Sequence, residues 1–166
     1  MAEPSRFIVA DAGPLIALGR IDALQLLPRM FARVEVTETV VSECLARPEL
    51  PDAKRIAAAI ADNWLTPCPD VPGLVDERIH SGEASTIARA LEAGFGVLMD
   101  DRAGVVHARG RGLKVIGTLG VLILAKRRGH VEQVADLIDR LRAGGHYLSD
   151  GAVRAALLAA GETPTD

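Results

Sequence analysis

The sequence predicts an α/β protein of three layers, with helices on both faces of a central parallel sheet. Three observations predict it. Short apolar runs, Phe7-Ile8-Val9-Ala10 and Val97-Leu98-Met99, read as fully buried strands. Segments with helical period and helix punctuation separate such runs along the whole chain. No internal repeat or linker interrupts the alternation, so the 166 residues read as one domain, 1–166, with a core of about 6–160.

The punctuation sets each element in turn. Phe7 to Ala10 is a strand ended by Asp11-Ala12-Gly13-Pro14, a turn into a helix with proline in its first turn. Leu15 to Leu27 carries two short helical pieces, broken near Gly19 and stopped by Pro28. Val34 and Val36 make a short strand, and Thr37 caps a helix that runs through Val40, Val41, Cys44 and Leu45 until Pro48. Pro51 opens an alanine-rich helix. Pro67, Pro69 and Pro72 make Thr66 to Gly73 the least regular stretch.

Ser81 is read as the cap of a helix from Gly82 to Ala93, ended by Gly94. The strand 97–99 stops at Asp100-Asp101. Gly104 to Arg109 is helical, Lys114-Val115-Ile116 a strand, and Leu119 to Arg128 a helix stopped by Gly129. Val131 to Arg142 is amphipathic and ends at Gly144-Gly145. Ser149 caps a last helix reaching Ala160.

Composition narrows the function classes. Hydrophobic residues are 49% of the chain and aromatics 3%, with 19 Lys+Arg against 22 Asp+Glu. A disordered tail is excluded. Two cysteines, Cys44 and Cys68, make neither a disulfide framework nor a Cys-x-x-Cys zinc site. Mean hydropathy is +0.20, yet the best membrane candidate, Val115 to Ala125, is too short to span and is closed by Lys114 and Lys126-Arg127-Arg128. No signal peptide is visible, so the expectation is a cytoplasmic protein with no membrane partner.

In open α/β sheets ligands bind beyond the carboxyl ends of the strands. Asp11 lies there after the first strand, and Asp100 and Asp101 after the strand at 97–99. Glu83 falls in the first turn of its helix on the stripe Glu83, Ile87, Leu91, which puts the acid at the end nearest the sheet. Glu43, beside Cys44, also borders a buried face. Glu38, Asp62, Glu92 and Asp139 read as solvated helix surface, and His80, His107, His130 and His146 as surface or cap residues.

Converging carboxylates repel unless a cation lies among them. An oxygen-only cluster suits Mg²⁺ or Mn²⁺ rather than Zn²⁺, and such ions activate water for displacement at phosphorus. The residues alone therefore point to a metal-dependent phosphate-ester hydrolase. Each acid also has a plainer reading: Asp11 as a helix cap, Glu83 as a partner of the helix dipole, Glu43 as a solvated acid, and one of Asp100 and Asp101 as turn and cap. No G-x-G-x-x-G follows the first strand and no P-loop motif occurs, which disfavours dinucleotide and P-loop chemistry.

The order of Val9-Ala10-Asp11-Ala12-Gly13-Pro14-Leu15-Ile16, Val40-Val41-Ser42-Glu43, Gly82-Glu83-Ala84, Leu98-Met99-Asp100-Asp101-Arg102 and Gly117-Thr118-Leu119-Gly120 resembles PIN-domain proteins, in particular the VapC-like branch. The resemblance covers roughly Arg6 to Ala160. It implies a PIN-like fold, Mg²⁺- or Mn²⁺-dependent ribonuclease activity on an RNA substrate, a homodimer, and the toxin role of a toxin–antitoxin pair with a small antitoxin partner. By that resemblance Asp11, Glu43 and Glu83 match the first three acids. Asp101 matches the fourth, with Asp100 an added or substitute ligand; the implied metal set is Asp11, Glu83, Asp100 and Asp101. Two departures stand out: Ala12-Gly13 replaces the hydroxyl residue after the first acid, and Met99 replaces the threonine of the fourth motif. The alternative is a catalytically degenerate member that only binds a partner.

The net charge of −3 first argues against nucleic acid. Its distribution changes that. Residues 1–101 carry a net −7, residues 102–146 a net +6, and residues 147–166 a net −2. An acidic pocket beside a basic segment suits a phosphodiesterase acting on a polyanion. Few aromatics are available for stacking, so any grip on RNA is expected to be backbone-led and salt-sensitive.

Overall fold

The computed structural model describes residues 3–72 and 76–164. Gly73, at the end of the proline-rich stretch, and the first two residues of the polar start lie outside the described residues. Strands are β1 (Phe7–Ala10), β2 (Arg33–Thr37), β3 (Thr66–Cys68), β4 (Gly96–Leu98) and β5 (Val115–Ile116). All pair in parallel, in the order β3-β2-β1-β4-β5. The helices are α1 (Ala12–Arg20), α2 (Leu26–Met30), α3 (Glu38–Cys44), α4 (Pro51–Ala61), α5 (Ser81–Ala93), α6 (Arg102–Gly110), α7 (Thr118–Arg127), α8 (Val134–Ala143) and α9 (Asp150–Ala159).

Alternation along the strands divides the core into two layers. Ile8, Ala10 and Leu98 face a large cluster that includes Leu15 and Leu18 of α1, Leu122 of α7 and Ile138 of α8. Val9, Val97 and Met99 face the opposite side, packing with Ile87 of α5 and Ala108 of α6. Both faces of β1 and β4 are therefore covered, which is why these strands read as unbroken apolar runs. Each such fully buried aliphatic side chain contributes about 1.5–3 kcal/mol of burial energy.

One charge sits inside the second layer. Glu35 of β2 is 1% exposed and is held by Arg89 of α5, Nε to Oε2 at 2.7 Å, and by Arg33, Nε to Oε1 at 2.9 Å. The two guanidinium groups hold its carboxyl below the ordinary glutamate range despite burial. At the end of the chain Glu162 accepts the backbone N–H groups of Val134 and Ala135 and the Nζ of Lys126, so the tail satisfies orphan donors at the start of α8.

Several sequence expectations are corrected. Thr66–Cys68, in the stretch read as least regular, is a strand; Pro67 is tolerated because β3 lies at the sheet edge. Pro28 does not stop the second helical piece but lies within α2, in a first turn whose N–H groups need no intrahelical acceptor. The cap of α5 is His80, one residue before Ser81. The apolar stripe of α5 ends before Leu91, which is exposed. His107 and His146 are half-buried rather than surface residues, and His107 Nδ1 stands 3.3 Å from Asp76 Oδ2. Thr37 and Ser149 cap their helices as read, accepting from Val40 N and Ala152 N.

Candidate active site at the carboxyl edge of the sheet

The chain runs from β1 outward through β2 to β3, then returns to β4 on the other side of β1. The boundary between β1 and β4 is thus the place where strand order reverses and a crevice opens. Ala10 pairs with Leu98 there, and Asp11 N donates to Leu98 O at 2.9 Å. Asp11 and the Asp100-Asp101 pair flank that crevice because both strands end at it.

Asp11, Glu43, Glu83 and Asp101 line one cavity of about 400 Å³, together with residues of the first turns of α1 and α5. Asp11 occupies the cap position of α1, but its carboxylate makes no capping bond. It is 6% exposed. Burial pushes its pKa up to about 7, and the charges of Glu83, Glu43 and Asp100 push in the same direction against the Ala12 amide. Glu83 is also buried and raised, first by desolvation and then by Asp101 and Glu43; the His80 N–H, donating to Oε2 at 3.0 Å, opposes this.

Three glycines let the acids approach. A Cβ on Gly82 would meet Glu43 Oε2 at 2.5 Å and Oε1 at 2.7 Å, so the exposed Glu43 lays its carboxylate against the first turn of α5. A Cβ on Gly104 would meet Met99 Sδ at 2.6 Å and Glu83 Cγ at 3.4 Å. A Cβ on Gly117 would meet Asp100 Oδ1 at 2.7 Å. For Gly82 and Gly104 the sequence offered a signal, glycine inside a helical first turn, where it has no conformational advantage; Gly117 is the cap residue of α7.

The two aspartates after β4 separate. Asp101 Oδ1 caps α6 by accepting from Gly104 N at 3.0 Å, and the residue lines the acid cavity. Asp100 accepts from Thr118 N at 2.8 Å and Thr118 Oγ1 at 2.5 Å, which ties β4 to the start of α7; it is not among the lining residues. Met99 is 1% exposed and packs where the threonine of the resembled motif would stand. Gly13 lines the cavity with open space beside its Cα.

A chain of hydroxyls joins the elements that carry Glu43 and Glu83. Ser85 Oγ of α5 donates to Gly82 O at 2.9 Å, and Thr37 Oγ1 lies 2.7 Å from Ser85 Oγ while accepting from Val40 N. Since Ser85 has one proton, Thr37 donates to it, and every hydroxyl is satisfied in one direction.

As placed, no three of the described His, Cys, Asp and Glu side chains converge to hold an ion between them. The donor chemistry nevertheless fits a hard divalent cation. Four carboxylates line the cavity beside His80 and Ser81, with no Lys, Arg or Cys among the lining residues. Buried Asp11 resists ionising without a counter-charge, and Mg²⁺ binds through one or two carboxylates while keeping several waters.

The chain has a parallel-sheet α/β/α fold of the nuclease type, with acids lining a cavity at its carboxyl edge. The sequence profile of the PIN domain matches residues 7–162, and the chain belongs to that family. Among solved structures it is similar to a PilT N-terminus domain protein from the hyperthermophilic archaeon Sulfolobus solfataricus. The TM-score is 0.51 at 12% identity, covering 86% of this chain and 97% of that one. Comparison with curated proteins by sequence finds no match. Among the described residues no helix is long and apolar enough to cross a membrane.

Proposed function

We propose that the chain, acting as one catalytic unit over 1–166, is a Mg²⁺- or Mn²⁺-dependent endoribonuclease. The observation that carries this is Asp11: a buried carboxylate with a pKa near 7, sharing a cavity with Glu43, Glu83 and Asp101 at the β1–β4 crevice. Four acids lining one cavity repel one another, and a positive ligand there would relieve that repulsion.

In this reading Asp11, Glu83 and Asp101 hold the ion directly or through its waters. A bound Mg²⁺ or Mn²⁺ supplies Lewis-acid stabilisation of the phosphate and a lowered pKa for water. Glu43, resting on Gly82, accepts a hydrogen bond from the attacking water and orients it in line with the scissile bond. Attack at phosphorus releases the 3′-oxygen and leaves a 5′-phosphate and a 3′-hydroxyl. Asp100 serves by anchoring β4 to α7. The resemblance in sequence extends the reading to the toxin of a toxin–antitoxin pair, with a small antitoxin partner and a homodimer, in the cytoplasm.

The test compares cleavage of RNA in Mn²⁺, in chelator, and by Asp11→Asn in Mn²⁺. Cleavage by the unaltered chain in Mn²⁺ alone is expected. Equal cleavage in all three arms would overturn the mechanism. Metal binding without cleavage of any RNA would instead identify a partner-binding module.

A further inference from the structure

A second cavity, of about 710 Å³, shares Asp101 with the acid pocket. Its character is opposite. Ile79 and Val106 give it aliphatic walls, and Val106 is 65% exposed, an apolar side chain left without cover on α6. Its cations are Arg78, Arg102 and Arg111. Residues 102–111 hold three arginines and no acid.

The arginines are not equivalent. Asp76 accepts from Arg78 through the backbone N–H, Nε and Nη2, and its other contact is His107 Nδ1. Arg78 is thereby matched in charge, and the segment before α5 is tied to α6. Among the described residues Arg102 and Arg111 form no ion pair. Two unmatched guanidinium groups around an uncovered aliphatic wall suit a ligand carrying both phosphate and a flat apolar face.

We propose that this groove is the subsite for the RNA nucleotide adjoining the scissile phosphate. Arg102 and Arg111 hold its phosphate, and Val106 with Ile79 takes its base. The proposal rests on the nuclease reading, since the groove adjoins the acid pocket at their shared wall, Asp101. Aliphatic contact discriminates weakly among bases, so the grip is led by the backbone.

The test uses the full chain carrying Asp11→Asn, titrated into a short fluorescent single-stranded RNA at several salt concentrations. Arg102→Ala with Arg111→Ala is expected to weaken binding about tenfold or more, and to lower the slope of log affinity against log salt by roughly 0.7, the loss of one phosphate contact. Arg102→Lys with Arg111→Lys should retain most of the slope, and Arg29→Ala, on α2 and lining a different cavity, should change nothing. Both arginines are exposed, and an unchanged circular dichroism melt confirms that the variants fold. RNA binding indifferent to the double variant overturns the groove, and continued cleavage by the unaltered chain in Mn²⁺ then leaves the nuclease reading standing. Absence of both binding and cleavage removes both. A polyglutamate peptide bound in place of RNA, and lost in the double variant, overturns the RNA assignment.

Discussion

The carboxylate of Glu43 rests against Gly82, at a distance where even one methyl group on the helix would displace it. Gly82→Ala tests what that contact does. Glu43 is exposed and its carboxylate is the far end of a flexible side chain, so it can swing away at little cost. Alanine also favours the helix by up to about 1 kcal/mol. The variant should melt at or above the unaltered chain, while Mn²⁺-dependent RNA cleavage falls roughly 10- to 100-fold through misplacement of one acid. A normal cleavage rate would remove Glu43 from the mechanism.

Asp11 predicts an unusual dependence of stability on pH. Its folded pKa of about 7 lies above the ordinary 3.8. Between those values the folded state keeps a proton that the unfolded state has released, so stability from this group falls as pH rises from about 4 to about 7. At about 1.4 kcal/mol per unit the loss is a few kcal/mol. In chelator, Asp11→Asn should therefore melt higher than the unaltered chain at about pH 8, with the gap closing toward about pH 4. Added Mn²⁺ should raise the melting temperature of the unaltered chain at high pH and leave Asp11→Asn unmoved. A constant gap across pH would contradict the burial argument.

Asp100 and Asp101 should part company when mutated. Asp100→Ala removes both acceptors of the buried Thr118 and should cost about 1–3 kcal/mol in thermal or urea unfolding. Asp101→Asn keeps an acceptor for Gly104 N, because asparagine caps helices about as well as aspartate. It should unfold within about 0.5 kcal/mol of the unaltered chain and lose metal-dependent cleavage. The reverse pattern would make Asp100 the ligand.

Thr37→Val breaks the hydroxyl chain in the middle. Ser85 loses a donor and Val40 N an acceptor, both buried, for about 1–3 kcal/mol. Thr37→Ser retains both bonds and should recover most of that loss. Because the chain ends on Gly82 O, beneath Glu43, cleavage should track the same order when assayed well below the melting temperature. Equal activity in the valine variant would show that the link supports folding alone.

Much of this architecture is legible in the residues. Phe7–Ala10 and Gly96–Leu98 are apolar on both faces because both faces are covered, and such strands announce themselves. The edge strand β3 does not, since three residues around a proline carry too little pattern. His107 reads as surface because its partner, Asp76, lies 31 residues earlier, and periodicity says nothing of such a pair.

By itself the sequence determined the alternation of elements, the acids at the ends of two strands, and the break between an acidic and a basic segment. Those are local properties: period, punctuation and charge order along the chain. Only the tertiary structure decided that Asp101 faces the cavity while Asp100 turns to Thr118, that Glu43 reaches Gly82, and that Asp11 is buried enough to hold its proton near neutral pH. Register, close approach and desolvation are set by neighbours distant in sequence, and no window along the chain contains them.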